Sequence, residues 1–261
     1  MARATLLDLT DGALTALHPA PDARVAAVGP TIADLHNTLR PRIEPLGCWR
    51  MDDPRFDFDS SFIQPSARED FSAIIALRNR HPDALTTLFG HADPSGADSY
   101  NEGLADRRAE AVYGLLTRRT DLWEGLYSRP EGGDVWGVPV QQRMLIETGF
   151  DCGKVDGVAG PMTSDAVKAF QDANGLKVDG VCGPLTRAAL FRAYMDTLCQ
   201  DASGPVVWTA DQFLAGTGSK GDYQGCGERN PVRVLAAAEL AAQSLTVKRD
   251  VDRFLSDIQA A

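Results

Sequence analysis

Residues 90–116 read GHADPSGADSYNEGLADRRAEAVYGLL, and the rest of the chain is organised around this stretch. Its first half is turn chemistry: Asp93-Pro94-Ser95-Gly96 and then Ala97-Asp98-Ser99 are residues that fix φ or compete with the backbone for hydrogen bonds. A helix is expected to follow, because Leu104, Ala111, Val112 and Leu115 fall on one helical face. Arg108 falls on the same face and interrupts an otherwise apolar stripe. Taken alone, such an arginine snorkels to water or pairs with a core carboxylate.

Upstream, Phe56-Asp57-Phe58-Asp59-Ser60-Ser61-Phe62 alternates aromatic and polar residues, the pattern of a half-buried strand. Pro65-Ser66 starts a helix carrying Phe71, Ile74, Ile75, Leu77 and Arg78, and His81-Pro82-Asp83 ends it. Leu85 to Phe89 is a second short strand that delivers the chain to Gly90. Strand, helix, strand, helix is the resulting order, with the two strands expected as parallel neighbours covered on one face by the helices. Residues 1–48 combine a weak helical pattern (Leu6, Leu9, Ala13, Leu17) with five prolines at 19, 21, 30, 41 and 45, and read as a partly helical arm.

After the organising stretch, residues 121–137 turn to charged residues, Gly and Trp and read as a linker. An internal repeat follows. Lys154-Val-Asp-Gly-Val-Ala-Gly-Pro-Met-Thr163 and Lys177-Val-Asp-Gly-Val-Cys-Gly-Pro-Leu-Thr186 agree at eight of ten positions with a period of 23 residues. Each copy is a turn followed by a threonine placed to cap a helix. Ala166, Val167 and Phe170 mark the first of those helices, Ala188, Leu190 and Phe191 the second, and Val140 to Ile146 a helix ahead of both. Residues 138–199 are thus expected to form a three-helix unit. Residues 200–220 read as a second linker, Leu235 to Leu245 as a helix, and Val247 to Leu255 as a strand or helix end.

Composition narrows the function classes. A chain of 261 residues with 44% hydrophobic content holds one large domain or two small ones. A formal charge of −10 without any basic tract argues against nucleic acid or an anionic membrane as the main partner. No apolar run approaches the roughly 18 residues that a membrane span needs, so no membrane insertion is expected. The first residues carry Asp8 and Asp11 inside what would be an apolar core, so no signal peptide is recognisable and the export route is left open. Five cysteines (48, 152, 182, 199, 226) and four histidines (18, 36, 81, 91) are dispersed without metal-ligand spacing. Neither a metal nor a cofactor is expected, and the cysteines stay open between disulfides and buried thiols.

These residues carry two resemblances. Phe56 to Pro65, Gly90-His91-Ala92-Asp93, Tyr100-Asn101, Leu104 and Arg107-Arg108-Ala109 resemble the OmpA-like peptidoglycan-binding domain family, with its FxFD strand and GHTDxxGxxxYNxxLSxxRAxxV pattern. Ala92 replaces the usual Thr, and Ala105-Asp106 the usual Ser and its neighbour. Val140 to Leu190 is similar to the small helical peptidoglycan-binding module attached to cell-wall hydrolases, with VQxxL, DGxxGxxTxxAVxxFQ and GLxxDGxxGxxT signatures. Gly227 to Val232 matches the family's GExxP strand about 100 residues late, whereas Lys248-Arg249-Asp250-Val251 departs from its NRRV strand. The implied fold is α+β, an OmpA-like βαβα sandwich with helices on one face of a mixed sheet. Residues 49–120 plus 221–256 would form it, interrupted by the all-α module at 138–199.

The resemblance also implies a site. In the family the motif Asp and Arg grip the zwitterionic end of the diaminopimelate residue of the peptide stem. By that resemblance Asp93 takes the ammonium, Arg108 the carboxylate, and Asn101 supplies neutral hydrogen bonds, with Leu104 beside them and Ser61 at the end of the first strand as a further candidate. His91 reads as structural, and Asp156 and Asp179 as turn formers rather than acids. The implied function is non-catalytic peptidoglycan binding at the cell envelope. One rival is a wall hydrolase or amidase with unseen catalytic residues. The other is an accessory component of a contractile secretion or phage-tail-like particle, partnered by its subunits.

Overall fold

A computed structural model describes residues 3–9, 47–51, 55–91 and 98–226. Its main sheet has four strands: β1 (Arg3–Leu9), β2 (Gly47–Met51), β3 (Leu85–His91) and β6 (Tyr223–Gly225), in the order β2-β1-β3-β6. Strand β1 runs antiparallel to both β2 and β3, and β3 runs parallel to β6, so the sheet is mixed. Helix α1 (Arg68–Arg80) crosses from β2 to β3, and α2 (Asp98–Thr117) follows β3 and packs on the sheet. Paired glycines bring α2 close. A Cβ on Gly90 would lie 2.1 Å from the Ala105 carbonyl oxygen, and one on its partner Gly225 2.5 Å from the Asp106 amide.

Three sequence expectations change here. Arg3–Leu9, read as the start of a helix, is the strand between β2 and β3. The strands that lead into α1 and α2 therefore share a direction without being neighbours. Residues 56–62, read as a strand, form a tight turn closed by an isolated Phe56–Ile63 bridge, with Asp57 N–H donating to Phe62 O at 3.0 Å. The alternation had a different cause. Phe56 and Phe62 are buried, but Phe58 is 98% exposed, and Asp59 takes a left-handed φ of 52°. The intervening polar residues are recruited by distant partners rather than by water.

The expected linker at 121–137 also proves ordered. Helix α3 (Thr120–Ser128) buries Trp123 and Leu126, and Asp134 and Trp136 beyond it are buried too. The helical unit follows as α4 (Val138–Glu147), α5 (Pro161–Ala173) and α6 (Pro184–Leu198). Thr163 and Thr186 do not cap these helices. Gly160 and Gly183 stand at the caps with Pro next, and each Thr sits at the third helical position. Both hydroxyls instead accept from a glutamine amide: Gln142 Nε2 to Thr163 at 3.0 Å, and Gln171 Nε2 to Thr186 at 3.0 Å. The same glutamines accept from the Asp-Gly turn amides, Gln142 from Asp156 and Gly157, and Gln171 from Asp179 and Gly180. Asp156 and Asp179 are turn formers, each accepting from the amide two residues on.

The second expected linker, 200–220, holds a hairpin of β4 (Gln200–Asp201) and β5 (Gly204–Pro205) and buries Trp208 and Phe213. Asp222 then gathers the Gly-rich loop, its carboxylate accepting from the amides of Ala215, Gly216, Thr217 and Gly218 at 2.6–2.9 Å. That ordered loop sets down β6 beside β3. The readings of residues 10–46 and 227–261, including the late GExxP match, lie outside the described residues.

One core joins these elements. Phe62 packs against Trp136 and Tyr194 with ring centroids 5.4 and 5.5 Å apart, and Trp123 against Trp136 and Phe191 at 5.2 and 5.7 Å. Tyr194 also donates to the Ile63 carbonyl at 2.8 Å, and Arg118 reaches Asp196 at 2.7 Å. The helical unit is therefore fused to the turn at 56–63 rather than tethered to it. Cys152, Cys182, Cys199 and Cys226 are free thiols; burial pushes those of Cys182 and Cys199 up to about 11. Truncating Trp123 to Ala is predicted to cost about 3–5 kcal/mol, as for other buried aromatics. Urea unfolding followed by fluorescence and by circular dichroism should give one coincident transition, since both segments share the core.

Candidate functional site

The helix α2 sets the site. Asn101, Leu104 and Arg108 lie at three- and four-residue steps along it, so they share one face. All three are buried, Arg108 with only 3% of its surface exposed. The Arg108 guanidinium lies over the Phe56 ring at 4.8 Å from the centroid, and its Nε donates to the Ser60 carbonyl at 2.8 Å. The turn at 56–61 therefore supplies both an aromatic face and an acceptor to the motif arginine. A guanidinium held this far out of water makes strong, geometrically defined bonds to a carboxylate. His91 is buried at the end of β3. Asp93 lies outside the described residues.

Ser61 belongs to a different arrangement from the one anticipated. It is fully buried, its hydroxyl donates to Asp134 Oδ2 at 2.6 Å and accepts from Trp136 Nε1 at 3.1 Å. Its hydroxyl is thus engaged by Asp134 and Trp136. Around it lies a network that sequence reasoning missed. Asp134, with no exposed surface, accepts from Ser60 Oγ (2.6 Å), Ser61 N (2.9 Å), Trp136 Nε1 (3.1 Å) and Arg107 Nε (2.6 Å) as well. Arg107 continues to the carbonyls of Arg129 and Leu126 at 2.9 and 3.0 Å, tying α2 to α3. Arg107 stands inside the quoted motif, but nothing in the local pattern around Asp134 marked it as that arginine's partner.

The turn has two more anchors. Arg143 Nη1 from α4 contacts Asp57 Oδ1 and Oδ2 at 2.6 and 2.8 Å. Tyr100 donates to Asp59 and accepts from the Gly133 amide at 3.2 Å. Each residue from Asp57 to Ser61 except Phe58 is thereby held by a partner distant in sequence. In the helical unit, the two repeat copies expose the same apolar positions, Val155, Val158 and Met162 in one and Val178, Val181 and Leu185 in the other.

Comparison with known proteins gives two separate matches. Residues 55–122 match the OmpA family and residues 137–190 a peptidoglycan binding domain family. Both resemblances read from the sequence are therefore real. Outer membrane porin F of Pseudomonas aeruginosa is 38% identical over 64 residues, 24% of this chain and 18% of that protein. The peptidoglycan-associated lipoprotein of Brucella melitensis is 39% identical over 64 residues, 24% of this chain and 38% of its own length. The chain thus spans well under half the length of these curated relatives. No solved structure matches. Among the described residues, no helix is long and apolar enough to cross a membrane, and no group of three or more His, Cys, Asp or Glu could hold a metal.

Burial acts most strongly on Asp134 and favours its neutral form, but the bonds from Ser60, Ser61 and Arg107 together outweigh it and hold the carboxyl below its ordinary value. The sign follows. A depressed carboxyl contributes stability that is fully present above its unfolded value, about 3.9, and is lost as pH falls through the folded one. Urea midpoints are predicted to fall on acidification below about pH 4, and Asp134→Asn should flatten that part of the profile while lowering stability at neutral pH.

Proposed function

We propose that the chain is a non-catalytic peptidoglycan-binding protein of the cell envelope that recognises the diaminopimelate-containing peptide stem. The observation that carries this reading is the Arg108 guanidinium, fixed by the Ser60 carbonyl and the Phe56 ring on the helix that bears Asn101 and Leu104. Arg108 takes the stem carboxylate, Asp93 the ammonium, and Asn101 a neutral hydrogen bond, while Ser61 acts as support. A zwitterion needs both charges from one site, and a bidentate arginine suits the carboxylate. The match to two families, one of them a peptidoglycan binding domain, and the similarity to a peptidoglycan-associated lipoprotein support the same ligand class.

The OmpA-like fold is proposed to be split, residues 49–120 continuing at 221–256, with the helical module between them. In support, β6 pairs in parallel with β3 after the whole helical unit has intervened. The module's twin apolar positions offer the wall a second contact. Because both segments share one core, the two contacts have a fixed separation, so avidity depends on whether the wall presents ligands at that spacing.

The chain carrying Arg108→Ala is expected to bind sedimented diaminopimelate-type walls about 10–100-fold more weakly, the scale of a lost charged hydrogen bond. Asn101→Ala should cost less. Wild-type binding by a folded Arg108→Ala protein would contradict the reading. A zymogram of the wild-type chain on purified walls should show no clearing, and a cleared band would overturn the non-catalytic assignment.

A further inference from the structure

We propose that Asp134 is a positioning residue for the peptidoglycan site, holding together the turn and the helix between which the Arg108 guanidinium is fixed. The inference rests on the reading of Arg108 as a ligand-binding group. Position 134 falls between the two matched segments, 55–122 and 137–190, so neither family resemblance assigns it a role.

Two arms run from its carboxylate to Arg108. The first passes through the turn. Asp134 Oδ1 accepts from the Ser60 hydroxyl at 2.6 Å and the Ser61 amide at 2.9 Å, and Oδ2 accepts from the Ser61 hydroxyl at 2.6 Å. Ser60 and Ser61 lie outside every strand, so these bonds do the work a sheet ladder does elsewhere. The Ser60 carbonyl they orient is the acceptor for Arg108 Nε at 2.8 Å. The second arm passes through α2. Asp134 Oδ2 accepts from Arg107 Nε at 2.6 Å, and Arg107 is the residue immediately before Arg108 on the helix. One carboxylate therefore fixes the acceptor and the helical register of the group that uses it.

Asp134 is itself held in place. Its amide donates to the Glu131 carbonyl at 3.0 Å, and the turn it closes packs against the 57–61 turn so tightly that a Cβ on Gly133 would meet Asp59 Oδ2 at 1.9 Å. The Tyr100 hydroxyl joins the two turns by accepting from Gly133 and donating to Asp59. A carboxylate suits the position because every group facing it is a donor. An asparagine would aim N–H bonds at donors, and Arg107 Nε cannot turn into an acceptor.

The test measures, by titration calorimetry on the full chain, binding of a soluble muropeptide whose stem ends in diaminopimelate. Wild type, Arg108→Ala, Asp134→Asn and the double variant are compared, with the Arg108 Nε–H resonance recorded for each protein that retains Arg108. Asp134→Asn is expected to weaken binding about tenfold, a scale set by one misaligned charged bond, and to shift the Arg108 Nε–H resonance. The double variant should bind no more weakly than Arg108→Ala alone, because Asp134 acts through Arg108. Additive losses, or wild-type affinity in a folded Asp134→Asn protein, would overturn the positioning role while leaving the functional reading intact. Unchanged binding by Arg108→Ala would overturn both. Should Asp134→Asn fail to fold, Ser60→Ala removes one donor only. A several-fold loss with a shifted Arg108 resonance is then expected, and wild-type values for both would overturn the proposal.

Discussion

A carboxylate removed from water is tolerable only when donors replace its hydration, and the Asp134 carboxylate is fully enclosed by five of them, from Ser60, Ser61 twice, Trp136 and Arg107. The constraint runs both ways. Those donors lie on the 56–63 turn, on α2 and beyond α3, so satisfying one buried charge forces three separate pieces of chain into a single arrangement. The Ser60 carbonyl, and through it Arg108, takes its place as a result. The aromatic cluster of Phe62, Trp123, Trp136, Phe191 and Tyr194 surrounds this polar centre and supplies the low-polarity setting in which its bonds are strong.

The same cluster changes how the two matched segments relate. A helical module joined by a flexible tether would sample many distances from the motif site, whereas here Tyr194 and Arg143 anchor it directly to the 57–64 turn. Arg143 holds Asp57 from α4 just as Asp134 holds Ser60 and Ser61. The module thus braces the turn that contacts Arg108, and each of its two repeat copies is closed by a glutamine bonded to an Asp-Gly turn.

What the sequence revealed was local. Helix α1, strand β3, helix α2 and the paired repeat were legible because each writes its periodicity or turn chemistry within a dozen residues. Helical spacing puts Leu104 and Arg108 on one face in the sequence itself, whereas Asn101 enters only through the family pattern. What stayed hidden was set by long-range partners. Phe56 to Phe62 alternates like a strand, yet it turns because Arg143, 86 positions away, holds Asp57, and Asp134, 74 positions away, holds Ser60. Arg3–Leu9 pairs on both sides with strands far along the chain, partners that the local spacing of Leu6 and Leu9 does not reveal. Gly132-Gly133-Asp134 looked like a linker because glycines and a charge usually mean solvent. Here the glycines admit Tyr100 and Asp59 at close range.

Arg108, held by the turn that Asp134 organises, is the group proposed to meet the wall peptide. A crystal structure of the full chain soaked with a diaminopimelate-ending muropeptide tests it most directly. The account predicts a ligand carboxylate within about 2.7–2.9 Å of the Arg108 guanidinium nitrogens, with Arg108 Nε still on the Ser60 carbonyl. Ligand bound only on the helical module, with Arg108 untouched, would contradict it.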